Sequence, residues 1–176
     1  ERFYIPNPFT ALVPERIRTF EIAAAHYFAR HHRLGVSAYR YHVSDLLTQA
    51  ITPGGDIYYA NLDRAEATGV ELELEGKYSS GLRVRTSYAL QRTKDVTAGT
   101  ELTGSPRHLA KAGLIQSFDR DRFTAGFELQ YHGTARTLAG NTAPDFILGN
   151  LTVTARPSLK GLEVSASLYN LFNTSY

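Results

Sequence analysis

The chain has 176 residues, 43% hydrophobic and 20% charged, with 19 Lys+Arg against 17 Asp+Glu and a net charge of +2. That balance, without any basic block, excludes a nucleic-acid footprint. The absence of Cys excludes disulfide scaffolds, thiol catalysis and Cys-ligated zinc. No run of eighteen apolar residues occurs, so no transmembrane helix is expected, and there is no Met even at position 1. A start inside a longer polypeptide, or after a cleavage site, is therefore expected. Eleven Tyr and nine Phe beside many Thr, Val and Gly favour strands.

In chain order, the first expected pair is Arg16–Phe28 with Leu34–Leu47, turned at Arg30-His31-His32-Arg33; its apolar side is not assignable from the pattern. Next comes Val70–Tyr78, with Glu71, Glu73 and Glu75 on one face and Val70, Leu72 and Leu74 on the other. A helix would scatter those glutamates around its cylinder, whereas a strand separates the faces. Ser79-Ser80-Gly81 is a hairpin signal leading into Leu82–Tyr88, where Arg83 and Arg85 join the polar face. A three-residue turn there pairs Glu75 with Arg85 and Leu74 with Thr86.

Leu109–Phe118 and Phe123–Tyr131 form another pair across Asp119-Arg120-Asp121-Arg122. Its second strand places Phe123, Ala125, Phe127, Leu129 and Tyr131 opposite Thr124, Gly126, Glu128, Gln130 and His132. The last pair is Phe146–Pro157 with Leu162–Phe172, turned at Ser158-Leu159-Lys160-Gly161, which sets Arg156 against Glu163.

The expected fold is all-β: an antiparallel up-and-down meander of about eight strands, each about 11 to 14 residues, forming part of a transmembrane barrel. Short turns fall at one end. Longer connections, Thr48–Asp56, Asp95–Ser105 and Ala139–Asp145, fall at the other. Val84, Tyr88, Leu151, Val153, Val164 and Leu168 join the lipid-facing set, with Glu71, Glu73, Glu75, Arg83, Arg85, Glu128 and Gln130 facing a lumen.

Candidate chemistry is sparse. His31-His32 as a metal site is outweighed by their expected turn position and by the opposed directions of strand neighbours. Glu71, Glu73 and Glu75 read as a solvated ladder beside Arg83 and Arg85 rather than as paired catalytic acids. Asp119-Arg120-Asp121-Arg122 lacks the glycine and ligand pattern of a calcium loop. Asn173-Thr174-Ser175 matches a glycosylation acceptor, a pattern common by chance. No phosphate loop, Gly-x-Ser-x-Gly or His-Glu-x-x-His occurs. No catalytic, metal or cofactor residue is assigned, and no enzyme activity is expected. Gly69 reads as a bulge or close backbone approach, Pro106 as a strand opening, and Asn170, Asn173 and Ser175 as strand-end polar groups.

Four segments resemble one family. Asn61-Leu62-Asp63-Arg64-Ala65-Glu66-Ala67-Thr68-Gly69-Val70-Glu71-Leu72-Glu73 resembles a strand signature of TonB-dependent outer-membrane receptors. Leu12-Val13-Pro14-Glu15-Arg16-Ile17-Arg18-Thr19-Phe20-Glu21 is similar to the start of another strand in that family. Ser105-Pro106-Arg107-His108 and Tyr169-Asn170-Leu171-Phe172-Asn173-Thr174-Ser175-Tyr176 resemble two more of its elements, in the family's order.

The resemblance implies the C-terminal barrel portion of an active transporter for scarce ligands such as ferric siderophores or cobalamin. It implies a Gram-negative outer-membrane location, energy supplied by the TonB complex, and lipid and a small metal chelate as partners. Such barrels have about 22 strands and a plugged lumen. Residues 1–176 would then be one barrel part without the plug, the TonB box or the last strand, inactive on its own. Tyr58, Tyr59, Arg92 and Arg136 are plausible loop contacts for a ligand, none of them assigned. Two other readings remain: a self-contained eight-stranded barrel with a structural or adhesion role, and a barrel enzyme, for which no catalytic constellation is found.

Overall fold

A computed structural model describes residues 4–5, 11–119, 121–137, 139–157 and 161–175; at 4, 5 and 62 only the backbone is described. The long strands are β2 (Arg16–Phe28), β3 (His32–Ile51), β4 (Ile57–Lys77), β5 (Leu82–Asp95), β6 (His108–Phe118), β7 (Phe123–His132), β10 (Phe146–Ala155) and β11 (Val164–Leu168). They are hydrogen-bonded in that order as an antiparallel meander. Two-residue β1 (Tyr4–Ile5) pairs in parallel with the far end of β4, and β8 (Ala135–Arg136) pairs with β9 (Thr142–Ala143). No helix occurs among the described residues.

Alternation dictates the register. Lys77 pairs with Arg83, Glu75 with Arg85 and Leu74 with Thr86. The turn between them closes because Gly81 adopts φ +84°, a left-handed conformation open to glycine. Its N–H bonds the Tyr78 carbonyl at 3.1 Å, while Tyr78 N–H bonds the Leu82 carbonyl at 2.8 Å. At the last hairpin Arg156 Nε donates to Glu163 Oε2 at 2.7 Å, the expected pairing. Residues 158–160 of that turn, and Arg120 of the turn before it, lie outside the described residues.

One hydrogen-bonded row runs Phe28, His32, Gly76, Val84, Leu114, Phe127, Leu151, Leu168. It meets β2 at its last residue, but meets β6 four residues before Phe118 and β10 four residues before Ala155. Strands slipping in one direction along a row are strands tilted to a common axis, the geometry of a barrel wall.

Rows of one parity carry Ile22, Val36, Val70, Leu72, Leu90, Leu114, Phe127 and Val153. Rows of the other carry Glu21, Arg33, Glu71, Glu73, Arg85, Lys111 and Glu128. The residues expected to face lipid and lumen all fall on these two faces as expected. The first hairpin, unassigned from sequence, joins the same scheme, with Phe20, Ile22 and Phe28 on the apolar face. Aromatic side chains border that face. At the short turns Phe28 stacks on His32 at 5.4 Å, His32 meets Tyr78 edge-on at 5.0 Å, and Phe118 pairs with Phe123. Towards the far end Tyr88 bonds His108 at 2.7 Å and Tyr131 donates to Asp145 at 3.1 Å. An apolar band between two aromatic girdles is the outer surface of a membrane barrel.

Three expectations are corrected. His32 and Arg33 belong to β3 rather than the turn, because Ala29 and Arg30 alone supply the positive φ angles, +45° and +60°. Of the connection expected over Thr48–Asp56, residues 48–51 are strand: β3 and β4 pair out to Ile51 and Ile57, and the turn over 52–56 is closed by Thr52 N–H to the Asp56 carbonyl at 2.9 Å. Ala139–Asp145 lies, as expected, in the connection between β7 and β10, within which Thr142–Ala143 pairs back with Ala135–Arg136. The last strand ends at Leu168, not Phe172, because Asn170 and Asn173 turn the chain at φ +51° and +50°.

A charge on the apolar face should cost far more than removal of one from the polar face. Leu72→Arg is expected to destabilise the protein by about 2–4 kcal/mol near the bilayer midplane. Glu71→Gln should leave stability within error in the same vesicle refolding titration.

Candidate functional site

The polar face is the wall of a hollow. Arg33 on β3, Glu73 on β4 and Arg85 on β5 lie on neighbouring strands because Glu73 pairs with Gly35 and Ser87, and the two arginines sit diagonally from it. Arg33 reaches Glu73 Oε2 at 2.5 Å; Arg85 reaches Glu73 Oε1 at 2.6 Å and Glu75 Oε1 at 3.2 Å. Each carboxylate is thus held by a guanidinium rather than by a nucleophile or a metal. Glu73 is the node of this ladder, so Glu73→Gln, which sequence pattern alone makes as neutral as Glu71→Gln, removes the charge behind three hydrogen bonds from two arginines. Two adjoining hollows of about 470 and 760 Å³ open on this face, with Glu73, Ser87 and Lys111 bordering both. The polar face is therefore the concave one.

Above the ladder stands an aromatic step. Tyr39 and Tyr41 stack at 6.0 Å, and Tyr39 donates to Gln91 Oε1 at 3.1 Å. Tyr39 lies flat over its cross-strand partner Gly69, where an added Cβ would come within 2.5 Å of the ring. Gly69 is a close approach and not a bulge, which resolves the two sequence readings. A hollow of about 390 Å³ bordered by Tyr39, Gly69, Gln91 and Arg107 opens here.

The remaining motif residues hold the far ends of the strands. β3 bulges after Val43, with Asp45 at φ +59°, which frees ladder groups. Asn61 Nδ2 donates to the Asp45 carbonyl at 2.6 Å and to the Val13 carbonyl at 2.9 Å, while Asn61 Oδ1 accepts Val13 N–H at 2.9 Å. Glu15 accepts the Leu47 N–H at 2.8 Å. The two N-terminal motifs therefore close one clamp over one bulge. Gln91 anchors the third motif through Pro106 O and Arg107 O, and Arg107 pairs with Glu101. In the fourth, Asn170 bonds both backbone groups of Thr174 at 2.9 Å, and Phe172 covers Gly149. Tyr176 lies outside the described residues.

The other candidates fall apart in space. His31 sits in the turn and His32 on the apolar face, and no group of three metal-ligating side chains occurs among the described residues. Asp119 pairs with Arg122 as a charged turn. Asn173 is a turn residue whose N–H bonds Asn170 O. Of the suggested loop contacts, Tyr58 and Tyr59 lie in β4, and Arg92 lies in β5 on the apolar-face parity, where it also borders the 390 Å³ hollow beside Gln91. Arg136 is tied to Thr100 and Glu101. Tyr39, Tyr41 and Gln91 were missed. Their signal was present as a Tyr-x-Tyr pair, but its face was unreadable until register was known.

A family model described as TonB dependent receptor-like, beta-barrel, matches residues 1–171. The chain belongs to this family. Among solved structures it is similar to the copper transporter OprC, at TM-score 0.74 and 18% identity over 97% of this chain and 27% of that one. It is also similar to the FrpB iron transporter from Neisseria meningitidis, F3-3 variant, at TM-score 0.71 and 18% identity over 97% and 29%. The ferripyoverdine receptor of the outer membrane of Pseudomonas aeruginosa gives TM-score 0.67 and 18% identity over 94% and 24%. At such identity the likeness carries the fold, and the chain spans about a quarter of these proteins' length. No curated protein matches the chain.

The Tyr39–Gly69 contact is open to a double-mutant cycle. Gly69→Ala should cost about 1–3 kcal/mol by overpacking. Most of that cost should vanish when Tyr39→Ala is also present, measured by the same refolding titration.

Proposed function

We propose that the chain is wall of the barrel of an outer-membrane active transporter, taking up a scarce ligand such as a ferric siderophore or cobalamin with energy supplied through TonB. The observation that carries this reading is the concave charged face. Glu71, Glu73, Glu75, Lys77, Arg83, Arg85, Lys111 and Glu128 share it. A closed eight-stranded barrel has an interior just wide enough for packed side chains. Eight charges crowded there would be costly, whereas a wide aqueous lumen solvates them. The reading as a self-contained small barrel also requires β2 to pair with β11; among the described residues β2 pairs with β3 and β11 with β10.

In this role residues 1–176 are one part of the barrel, and a plug, a TonB-contacting segment and further strands are supplied by the same receptor. The location is the outer membrane of a Gram-negative bacterium. The Tyr39–Tyr41 step and the hollows are surfaces that a ligand passes, and no bond-breaking chemistry is assigned to them. Cells making the whole receptor should accumulate radiolabelled ferric chelate or cobalamin. Uptake should stop when TonB is deleted or the proton-motive force is collapsed, while surface binding persists. Uptake unaffected by either treatment would contradict active transport, and an open reading frame encoding no strands beyond these eight would contradict the larger barrel.

A further inference from the structure

The apolar face ends abruptly in charge on one flank. Continuing the rows towards the far end of β2–β5, Ile22, Ala38, Val70 and Leu90 are followed by Phe20, Arg40, Thr68 and Arg92, then by Arg18, His42, Glu66 and Lys94. Two adjacent rows thus place Arg18, Arg40, Arg92 and Lys94 on the outward side, all exposed. The one carboxylate among them, Glu66, is already engaged by Arg40 at 3.7 Å and His42 at 3.2 Å. Arg18, Arg92 and Lys94 have no ion-pair partner among the described residues.

The patch is local. Next along the sheet the outward positions near this level are His108, Tyr131 and Ile147, and the first two already hold Tyr88 and Asp145. The outward border is therefore aromatic or apolar over β6–β10 and cationic over β2–β5.

Two features define what fits. Guanidinium forks match phosphate oxygens in bidentate geometry. The cations also stand directly above the apolar rows, so a ligand reaching them from the side would lay acyl chains along Ile22, Val36, Val70, Leu72 and Leu90. A soluble anion gains nothing from that wall. We infer that the outward flank of β2–β5 is a binding site for a phosphate-bearing lipid headgroup, with Arg18, Arg40, Arg92 and Lys94 as the phosphate ligands and the apolar rows below as the acyl-chain track. This rests on the membrane reading above.

The test uses the full receptor in nanodiscs of phosphatidylcholine doped with phosphatidic acid, with retained lipid counted by native mass spectrometry after mild detergent extraction. Phosphatidic acid should be retained over phosphatidylcholine, and Arg40→Gln/Arg92→Gln should lower that retention at least about tenfold. Arg83→Gln, on the concave face, should leave retention unchanged. Equal retention by wild type and the double variant, or displacement of the lipid by millimolar inorganic phosphate, would overturn the proposal. A receptor that enters nanodiscs normally but shows no phosphate preference contradicts this site alone. One that fails to enter any bilayer contradicts the membrane reading as well.

Discussion

A strand in hydrocarbon has no water to bond its backbone, so each of its N–H and C=O groups needs a neighbouring strand. That constraint organises everything else in this molecule. It explains why eight strands run on as one uninterrupted meander, and why the tilt is preserved from row to row. It also makes the two edges, β2 and β11, the most informative parts of the wall. Among the described residues each pairs on one side only, and the proposed barrel must complete the other with strands from elsewhere in the receptor.

With the backbone satisfied by neighbours, side chains are free to serve two solvents at once. The outward rows are apolar between girdles, and the inward rows carry the Arg33–Glu73–Arg85–Glu75 ladder. Surface ion pairs of this sort contribute little stability individually. Their consequence is geometric: a continuous charged strip requires a wet space beside it. The family motifs do different work. Asn61, Glu15, Gln91 and Asn170 satisfy groups that the ladder abandons where the strands bend or stop, so they fix the rim on which the outer connections stand.

Much of this was legible in the alternation. From Val70 to Tyr88 the period is clean, and the Glu75–Arg85 register follows from one three-residue turn. Arg156 and Glu163 were likewise readable. The first hairpin was not, and the reason is physical. Its outward row is apolar at Ile22 and charged at Arg18, Arg40 and His42, because the same strand leaves the apolar band partway along. A period-two pattern reads faces correctly only while the surroundings of each face stay constant. The extension of β3 and β4 was hidden for a related reason: the Thr, Gly and Pro that end the hairpin resemble a long loop, yet Gln49 and Tyr59 still pair. At the other end, Leu168–Phe172 keeps strand-like composition, but the Asn170 side chain bonds the backbone of Thr174 and wins the competition with the ladder.

The claim that the wall is open is tested most directly by cysteine cross-linking, to which these 176 residues contribute no cysteine of their own. Ala23 and Ser37 are cross-strand partners between β2 and β3, as are Thr152 and Ser167 between β10 and β11. Cysteines at either pair lie within disulfide reach and should bond on oxidation in outer-membrane vesicles containing the whole receptor. Cysteines at Ala23 and Ser165, on the inward faces of β2 and β11, should remain unlinked however long oxidation proceeds. Rapid disulfide formation between those two would mean that the eight strands close on themselves, and would contradict the account.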